Sequence, residues 1–241
     1  MEHTSRQYER ELQQLKEKIL LLGGTVEMMI ASAMKSLMSR DPDLARSVIR
    51  TDPRVDTMEM EIDHICLSLL ALRQPAASDL RFITTALKIV TDLERIGDLT
   101  VNMAERAIEL SEEPPLKPYI DIPRMASSVA GMVHQALDAF VNRNPDQARE
   151  VLGSDDAVDR LNVQLFRELL TYMIEEPKNV ARALRITFIA KYLERIGDHA
   201  TNIAQMVIFL TEGRDVRHPS ATERSPNGTP GGSGPRAPDD V

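Results

Sequence analysis

The sequence predicts an all-α protein built from two tandem, pseudo-symmetric three-helix bundles. Two observations carry this prediction. Apolar residues recur at steps of three and four along most of the chain, which is the spacing of packed helices. The six residues LERIGD also occur twice, at Leu93–Asp98 and at Leu193–Asp198. Alternating apolar and polar residues, which are typical of β-strands, are nearly absent.

The first predicted helix is long and continues through Gly23 and Gly24. Each glycine costs about 1 kcal/mol of helix stability. The apolar seam that outweighs this cost consists of Leu12, Leu15, Ile19, Leu22, Val26, Met29 and Ala33. We therefore expect one unbroken helix that packs against the rest of the bundle along this seam.

Asp-Pro dipeptides mark the starts of the next two helices. Asp41 is expected to cap a short helix with Pro42 at its first position, and the dipeptide at Asp52 begins a longer helix. A further long helix is predicted from about Ser78 to Leu110. The proline-rich segment SEEPPLKPYIDIP then interrupts the helical pattern.

After this interruption the same series begins again. NRNPDQAREVL corresponds to SRDPDLARSVI at an offset of 103, and the two LERIGD segments correspond at an offset of 100. We therefore predict one three-helix unit over residues 1–113 and a second over 121–212. Residues 213–241 are rich in glycine and proline and poor in apolar residues, which predicts a disordered tail.

Charge and cysteine content exclude several classes of protein. The chain has 29 Lys and Arg against 37 Asp and Glu, a formal net charge of −8, so non-specific nucleic-acid binding is not expected. Cys66 is the only cysteine, so an intramolecular disulfide is impossible and a reducing compartment is indicated. No signal peptide or apolar run of about 18 residues is recognised. We expect a cytoplasmic protein that reaches a membrane only through partners.

The repeated segment places acidic residues four apart on a helix. A heptad seam through Leu93 and Ile96 directs Glu94, Asp98 and Asn102 away from the core as one stripe. In the second half the corresponding residues are Glu194, Asp198 and Asn202. Like charges at this spacing destabilise a helix by a few tenths of a kcal/mol, and a bound cation would compensate for the repulsion.

The preceding helix of each half offers more carboxylates at the same spacing. These are Asp52 with Asp56, and Asp155 with Asp159. If the two helices are antiparallel neighbours, the four pairs form two all-oxygen surface sites, which suit hard cations such as Mg²⁺, Mn²⁺, Ca²⁺ or iron.

Simpler interpretations compete with metal binding. An exposed Glu-x-x-x-Asp pair is ordinarily a solvated face, and Asp52 and Asp155 are expected to be N-caps. His199 and Cys66 are interpreted as ordinary helix and core residues. Gly97 and Gly197 are costly within a helix, and they indicate a close approach to the backbone, for example by another helix.

Two segments together identify the chain as similar to the PhoU family of phosphate-uptake regulators. They are RQPAASDLRFITTALKIVTDLERIGDLTVNMAE and ALRITFIAKYLERIGDHATNIAQ. The resemblance covers about residues 1–212. It implies two pseudo-symmetric three-helix bundles, often dimeric, that act in the cytoplasm without catalysis. It also implies two partners, the ATPase of the phosphate ABC transporter and a sensor histidine kinase, whose phosphate-starvation signalling the protein restrains.

The resemblance also suggests roles for individual residues. Some members of the family bind metal through acidic E(D)xxxD motifs, here matched by Glu94–Asp98 and Glu194–Asp198, which implies Fe, Mn or Mg as the ion. The pairs Asp52–Asp56 and Asp155–Asp159 are counterparts on the second helix. Candidates for partner binding are Arg73, Asp79, Arg81, Asn102 and Asn202. The second half matches the Arg73–Arg81 segment only weakly, with EEPKNVARALR.

The sequence therefore favours a non-catalytic adaptor between phosphate transport and a two-component signalling system. Two alternatives stay open. A metal-dependent hydrolase that uses carboxylate clusters would show metal-dependent turnover. Deletion of a metal-storage or purely structural helical protein would leave phosphate-regulated expression unchanged.

Overall fold

The computed structural model describes residues 2–213, which are almost entirely helical and include no strand. Seven α-helices follow one another in the chain: α1 (Glu2–Ser39), α2 (Pro42–Ile49), α3 (Asp52–Arg73), α4 (Ala77–Ser111), α5 (Asp121–Asn142), α6 (Pro145–Glu175) and α7 (Val180–Glu212). One 3₁₀ turn, Pro177–Asn179, joins α6 to α7. The predicted all-α fold of two tandem three-helix units is confirmed.

In the first unit α3 and α4 pack as antiparallel neighbours, and α1 packs against both. Asp41 caps α2 as predicted, because its side chain accepts hydrogen bonds from the backbone N–H groups of Asp43 and Leu44. The apolar seam of α1 is buried from Leu15 to Ala33, apart from the half-buried Leu12 at its start. The helix passes through both glycines without interruption.

The second unit repeats this arrangement with one difference. Asn144 caps α6 in the way that Asp41 caps α2. In the first unit the helix is then interrupted at Arg50 and Thr51, between α2 and α3. In the second unit α6 continues through the corresponding positions as a single helix of 31 residues. This continuity puts Asp155 inside a helix, so its predicted role as an N-cap is wrong. Asp52 is the first residue of α3 and makes no capping hydrogen bond either.

A single apolar core extends through both units. Helices α4 and α7, which carry the two LERIGD segments, pack against each other, and α1 packs against α5. Phe82 of α4 stacks on Phe140 of α5, with ring centroids 5.2 Å apart. Cys66 is fully buried in this core, as predicted. The joint between the units is therefore apolar packing of the kind found inside one domain.

The connection between the units is held by arginines from both sides. Arg40 donates to the backbone carbonyls of Ser111 and Glu113. Arg185 of α7 bonds the carboxylates of Glu109 and Glu113, with both N–O distances 2.7 Å. These contacts fix the path of the chain from α4 to α5.

Residues 6–39 of α1 include a window of 18 residues that is apolar enough to cross a membrane, with a mean hydropathy of 1.3. More than half of this window is buried inside the bundle, and core helices give the same signal. The sequence did not lead us to expect this candidate. At the other end, Gly213 terminates α7 in a left-handed conformation with φ 69°. The rest of the tail that was predicted to be disordered follows this glycine and lies outside the described residues.

Candidate acidic sites

Each LERIGD segment lies against the preceding helix of its own unit. A Cβ atom at Gly97 would lie 3.3 Å from Val55 Cγ1 and 3.9 Å from Asp52 Oδ1. A Cβ at Gly197 would lie 3.7 Å from Asp155 Oδ1. The neighbouring helix approaches more closely than a side chain usually allows at Gly97, whereas a Cβ at Gly197 would make only ordinary van der Waals contacts, so the predicted close approach is found at Gly97 alone.

The contact gathers five carboxylates in the first unit. We call them the first acidic cluster: Asp52, Asp56, Glu59, Glu94 and Asp98. Burial, followed by the charges of Asp56 and Asp98, raises the pKa of Asp52. Burial, followed by the charge of Asp98, also raises the pKa of Glu94, although Arg95 opposes the shift. The side chains are thus close enough to repel one another.

The second acidic cluster contains four corresponding acids of the second unit, Asp155, Asp159, Glu194 and Asp198, whereas Glu59 corresponds to Asn162. Burial, followed by the charges of Asp159 and Asp198, raises the pKa of Asp155. Burial, followed by Glu194, does the same for Asp198. The Oε2 atom of Glu194 is buried and has no hydrogen-bond partner within the described part of the chain.

The cluster residues are less exposed than the heptad pattern predicts. The side chain of Glu94 is 22% exposed and that of Glu194 is 15% exposed, and Asn102 and Asn202 are half-buried. The predicted outward stripe is only partly exposed, because α3 and α6 cover one side of it. Asp198 retains an exposed position.

Basic residues already neutralise part of each cluster. Arg95 lies 3.4 Å from Glu94 and 3.1 Å from Asp98, measured between nitrogen and oxygen. Lys191 lies 2.5 Å from the Oε1 atom of Glu194. Among the described side chains of residues 6–213, no three His, Cys, Asp or Glu groups converge with the geometry of a metal site. The clusters therefore concentrate negative charge without a complete coordination sphere.

Two of the candidate partner-binding residues make contacts within the chain. Arg73 forms a two-pronged ion pair with Glu11, with N–O distances of 3.0 and 2.6 Å. Asp79 accepts a hydrogen bond from the hydroxyl of Tyr8 at 3.1 Å. Both contacts connect the N-terminal part of α1 to the α3–α4 corner, which consists of the end of α3 and the start of α4. Arg81 is exposed.

Sequence reasoning missed a polar contact between the two units. The Nδ1 atom of His199 lies 2.7 Å from Asp92 Oδ1, and the side chains are 19% and 13% exposed. The corresponding residues of the opposite units are Leu99 and Tyr192, so this pair occurs once. The sequence signal that could have revealed this contact was Asp92, an acidic residue within an otherwise apolar helix contact.

Comparison with known proteins places this geometry in context. The PhoU domain matches the chain twice, over residues 19–107 and 122–207. A Pseudomonas aeruginosa protein named phosphate-specific transport system accessory protein PhoU homolog is 45% identical over 217 residues, which are 90% of each chain.

Solved structures resemble the chain as well. The crystal structure of PhoU from Pseudomonas aeruginosa has a TM-score of 0.83 at 43% identity, covering 86% of this chain and 100% of that one. The phosphate transport system regulatory protein PhoU from Streptococcus pneumoniae has a TM-score of 0.80 at 26% identity, covering 87% and 99%.

Proposed function

Because this chain belongs to the PhoU family, we propose that it regulates phosphate uptake as an adaptor between the phosphate-transporter ATPase and a sensor histidine kinase. In this role it restrains phosphate-starvation signalling when phosphate is plentiful. The observation that carries the proposal is the relationship to the Pseudomonas aeruginosa accessory protein, which extends over nine-tenths of both chains. The chain acts by protein–protein contact in the cytoplasm and catalyses no reaction.

Affinity purification of the tagged full chain tests the proposed partners. Cells grown in plentiful phosphate should yield both the transporter ATPase and the kinase, identified by mass spectrometry. The same purification with an unrelated tagged helical protein controls for non-specific capture. Recovery of neither partner, with or without mild crosslinking, would contradict the adaptor role.

We also propose that the two acidic clusters bind a hard cation, Fe, Mn or Mg. Carboxylate oxygens are the ligands that such ions prefer. The pKa values of Asp52, Glu94, Asp155 and Asp198 are raised first by burial and then by the neighbouring carboxylates, and a bound cation would offset both effects. The buried Oε2 of Glu194 lacks a partner within the described residues. The remaining cluster members are Asp56, Glu59, Asp98 and Asp159.

Metal content of the dialysed protein tests this second proposal. Wild-type protein equilibrated with Mn²⁺, Mg²⁺ or Fe should retain metal, measured by elemental mass spectrometry. The variant E94Q/D98N/E194Q/D198N should lose it and keep its helicity, because amides of nearly the same shape remove the burial and repulsion of charge that raise the pKa values of Glu94 and Asp198. The matched control E17Q/E150Q, which changes two exposed glutamates elsewhere, should retain the metal. Equal retention by the cluster variant would refute the assignment.

Self-association completes the proposal, since we also infer a homodimer. Sedimentation of the full chain should give about twice the monomer mass of 27.0 kDa. Arg81, exposed beside the α3–α4 corner, and the half-buried Asn102 and Asn202 are proposed as contacts for partners. Arg73 and Asp79 would contribute indirectly, by holding that corner in place, because both form hydrogen bonds with α1.

A further inference from the structure

Helices α6 and α7 expose more large apolar side chains than the corresponding helices of the first unit, where the exposed ones are Met60, Leu67, Leu72 and Leu80. We call the group on α6 and α7 the α6–α7 face, and it consists of Val163, Phe166, Leu170, Ile174, Leu184 and Phe188. These side chains are between 43% and 75% exposed. Single exposed apolar residues are common, whereas a group of several on one face marks an interaction site.

The six residues form one continuous surface. Gly197 lies against Asp155 and the two helices are antiparallel, so Phe166 lies level with Phe188 and Leu170 level with Leu184. The ring of Phe188 stacks on Tyr192, with centroids 6.3 Å apart. From Val163 to Ile174 the face extends about 17 Å, which is three turns of a helix.

The first unit provides an internal comparison at the same positions. In the order given above, the corresponding residues are Met60, Asp63, Leu67, Ala71, Thr84 and Lys88. A charged residue thus replaces each phenylalanine, and Ala71 and Thr84 replace two large aliphatic side chains. Packing within the bundle does not require the larger apolar residues, because the equivalent helices of the first unit pack without them.

The second acidic cluster adjoins the Val163 end of the face through Asp159, and basic residues border the face along α6. Arg160 and Arg167 are exposed, stand two turns apart on α6, and have no acidic partner within 4.0 Å among the described residues. The corresponding residues of the first unit are Thr57 and His64. Arg195 lies at the Arg160 end of the face and has no ion pair among the side chains of residues 6–213, whereas its counterpart Arg95 contacts two carboxylates.

We propose that the α6–α7 face binds an amphipathic helix with acidic residues along one flank, contributed by a protein partner of this chain. The apolar side of such a helix covers the phenylalanines and aliphatic residues, and its acids pair with Arg160 and Arg167. The spacing of the arginines, about 10 Å along α6, calls for acids two turns apart on the partner. A second copy of the chain on this face would instead bring Arg160 and Arg167 of both copies into one interface, where like charges repel.

This inference rests on the proposed adaptor function, and two pairs of substitutions test it. F166D/F188K installs the residues that the first unit carries at these positions, and R160E/R167E reverses the border charges. The control L67D adds a charge at the exposed position of the first unit that corresponds to Leu170. Binding of each full-length variant to the purified transporter ATPase, and to the cytoplasmic part of the kinase, is measured by calorimetry.

We expect both pairs of substitutions to weaken binding of the same partner at least tenfold, with L67D within twofold of wild type. R160E/R167E should also flatten the dependence of that affinity on salt. Unchanged affinity in both would refute the face as a docking site. If wild-type protein binds neither partner, the adaptor function itself fails, so the two failures are distinguishable.

Two further measurements show whether a second copy of the chain or a lipid surface covers the α6–α7 face instead. Sedimentation of F166D/F188K as a monomer, when wild type is a dimer, would mean that a second copy covers the face and would contradict the proposal. Loss of binding to anionic phospholipid vesicles in this variant would contradict it in favour of a lipid surface. We expect both properties to be unchanged. Thermal unfolding confirms the fold of each variant, and the exposed arginine pair remains informative if the phenylalanine variant is unstable.

Discussion

Asp92 of α4 and His199 of α7 meet across the boundary between the two repeated units, with 2.7 Å between Oδ1 and Nδ1. Both side chains are largely buried, so removal of either one leaves a polar group without its partner. We expect D92A and H199A each to lower the free energy of unfolding by about 1–3 kcal/mol. The double variant should lose less than the sum of the two, and urea unfolding of all four proteins measures the coupling. Strict additivity would mean that the contact contributes nothing.

Stability should depend on pH through the acidic clusters. The folded-state pKa values of Asp52 and Asp155 are raised, so the folded protein holds protons that the unfolded chain releases. Their contribution is therefore present below the ordinary pKa of 3.8 and is lost as pH rises through the raised values. D52N/D155N removes both titrating groups and should be more stable than wild type at pH 7, with the difference shrinking toward pH 3.

Glu11 provides the opposite control for the pH experiment. Its hydrogen bonds with Arg73 lower its pKa, so its contribution to stability is present above its ordinary pKa of 4.5 and is lost as pH falls through the lowered value. E11Q should therefore be less stable than wild type at pH 7. Urea titrations with a metal chelator present keep cation binding out of both comparisons. A pH-independent difference for D52N/D155N would contradict the account of the clusters.

The adjacent glycines of α1 should respond differently to substitution by alanine. A Cβ at Gly24 meets nothing within 4 Å, so G24A should gain the full helix propensity of alanine, about 0.5–1 kcal/mol. A Cβ at Gly23 would lie 2.3 Å from the Cδ1 atom of the buried Leu137, which must move. G23A should therefore be less stable than G24A, as measured by thermal unfolding. Equal stability would show that Leu137 repacks without cost.

Sequence reasoning predicted those parts of the structure that depend on local pattern. The seam of α1, the cap at Asp41 and the long helices that carry the two identical LERIGD segments all follow from the pattern of neighbouring residues. The same pattern could not show that α6 runs unbroken through Asp155, because the two units are similar there in sequence and differ in helix continuity.

Contacts between helices distant in sequence were harder to predict. The heptad pattern places Glu94 on the face of α4 that points away from the core. Only the packed structure shows that α3 covers one side of this face. The sequence marks Asp92 only as an acid within an apolar helix contact, and it does not show that the partner is His199, 107 residues later. The α6–α7 face became visible only when exposure was compared at corresponding positions of the two units.

The proposed adaptor role is tested most directly by expression of phosphate-starvation genes in cells that lack this chain. Transcript levels are measured in plentiful phosphate in a clean deletion strain, and in the same strain carrying the wild-type gene on a plasmid. The account predicts that the genes are switched on in the deletion strain and repressed again by the plasmid. Unchanged expression in the deletion strain would contradict the regulatory role and favour a structural one.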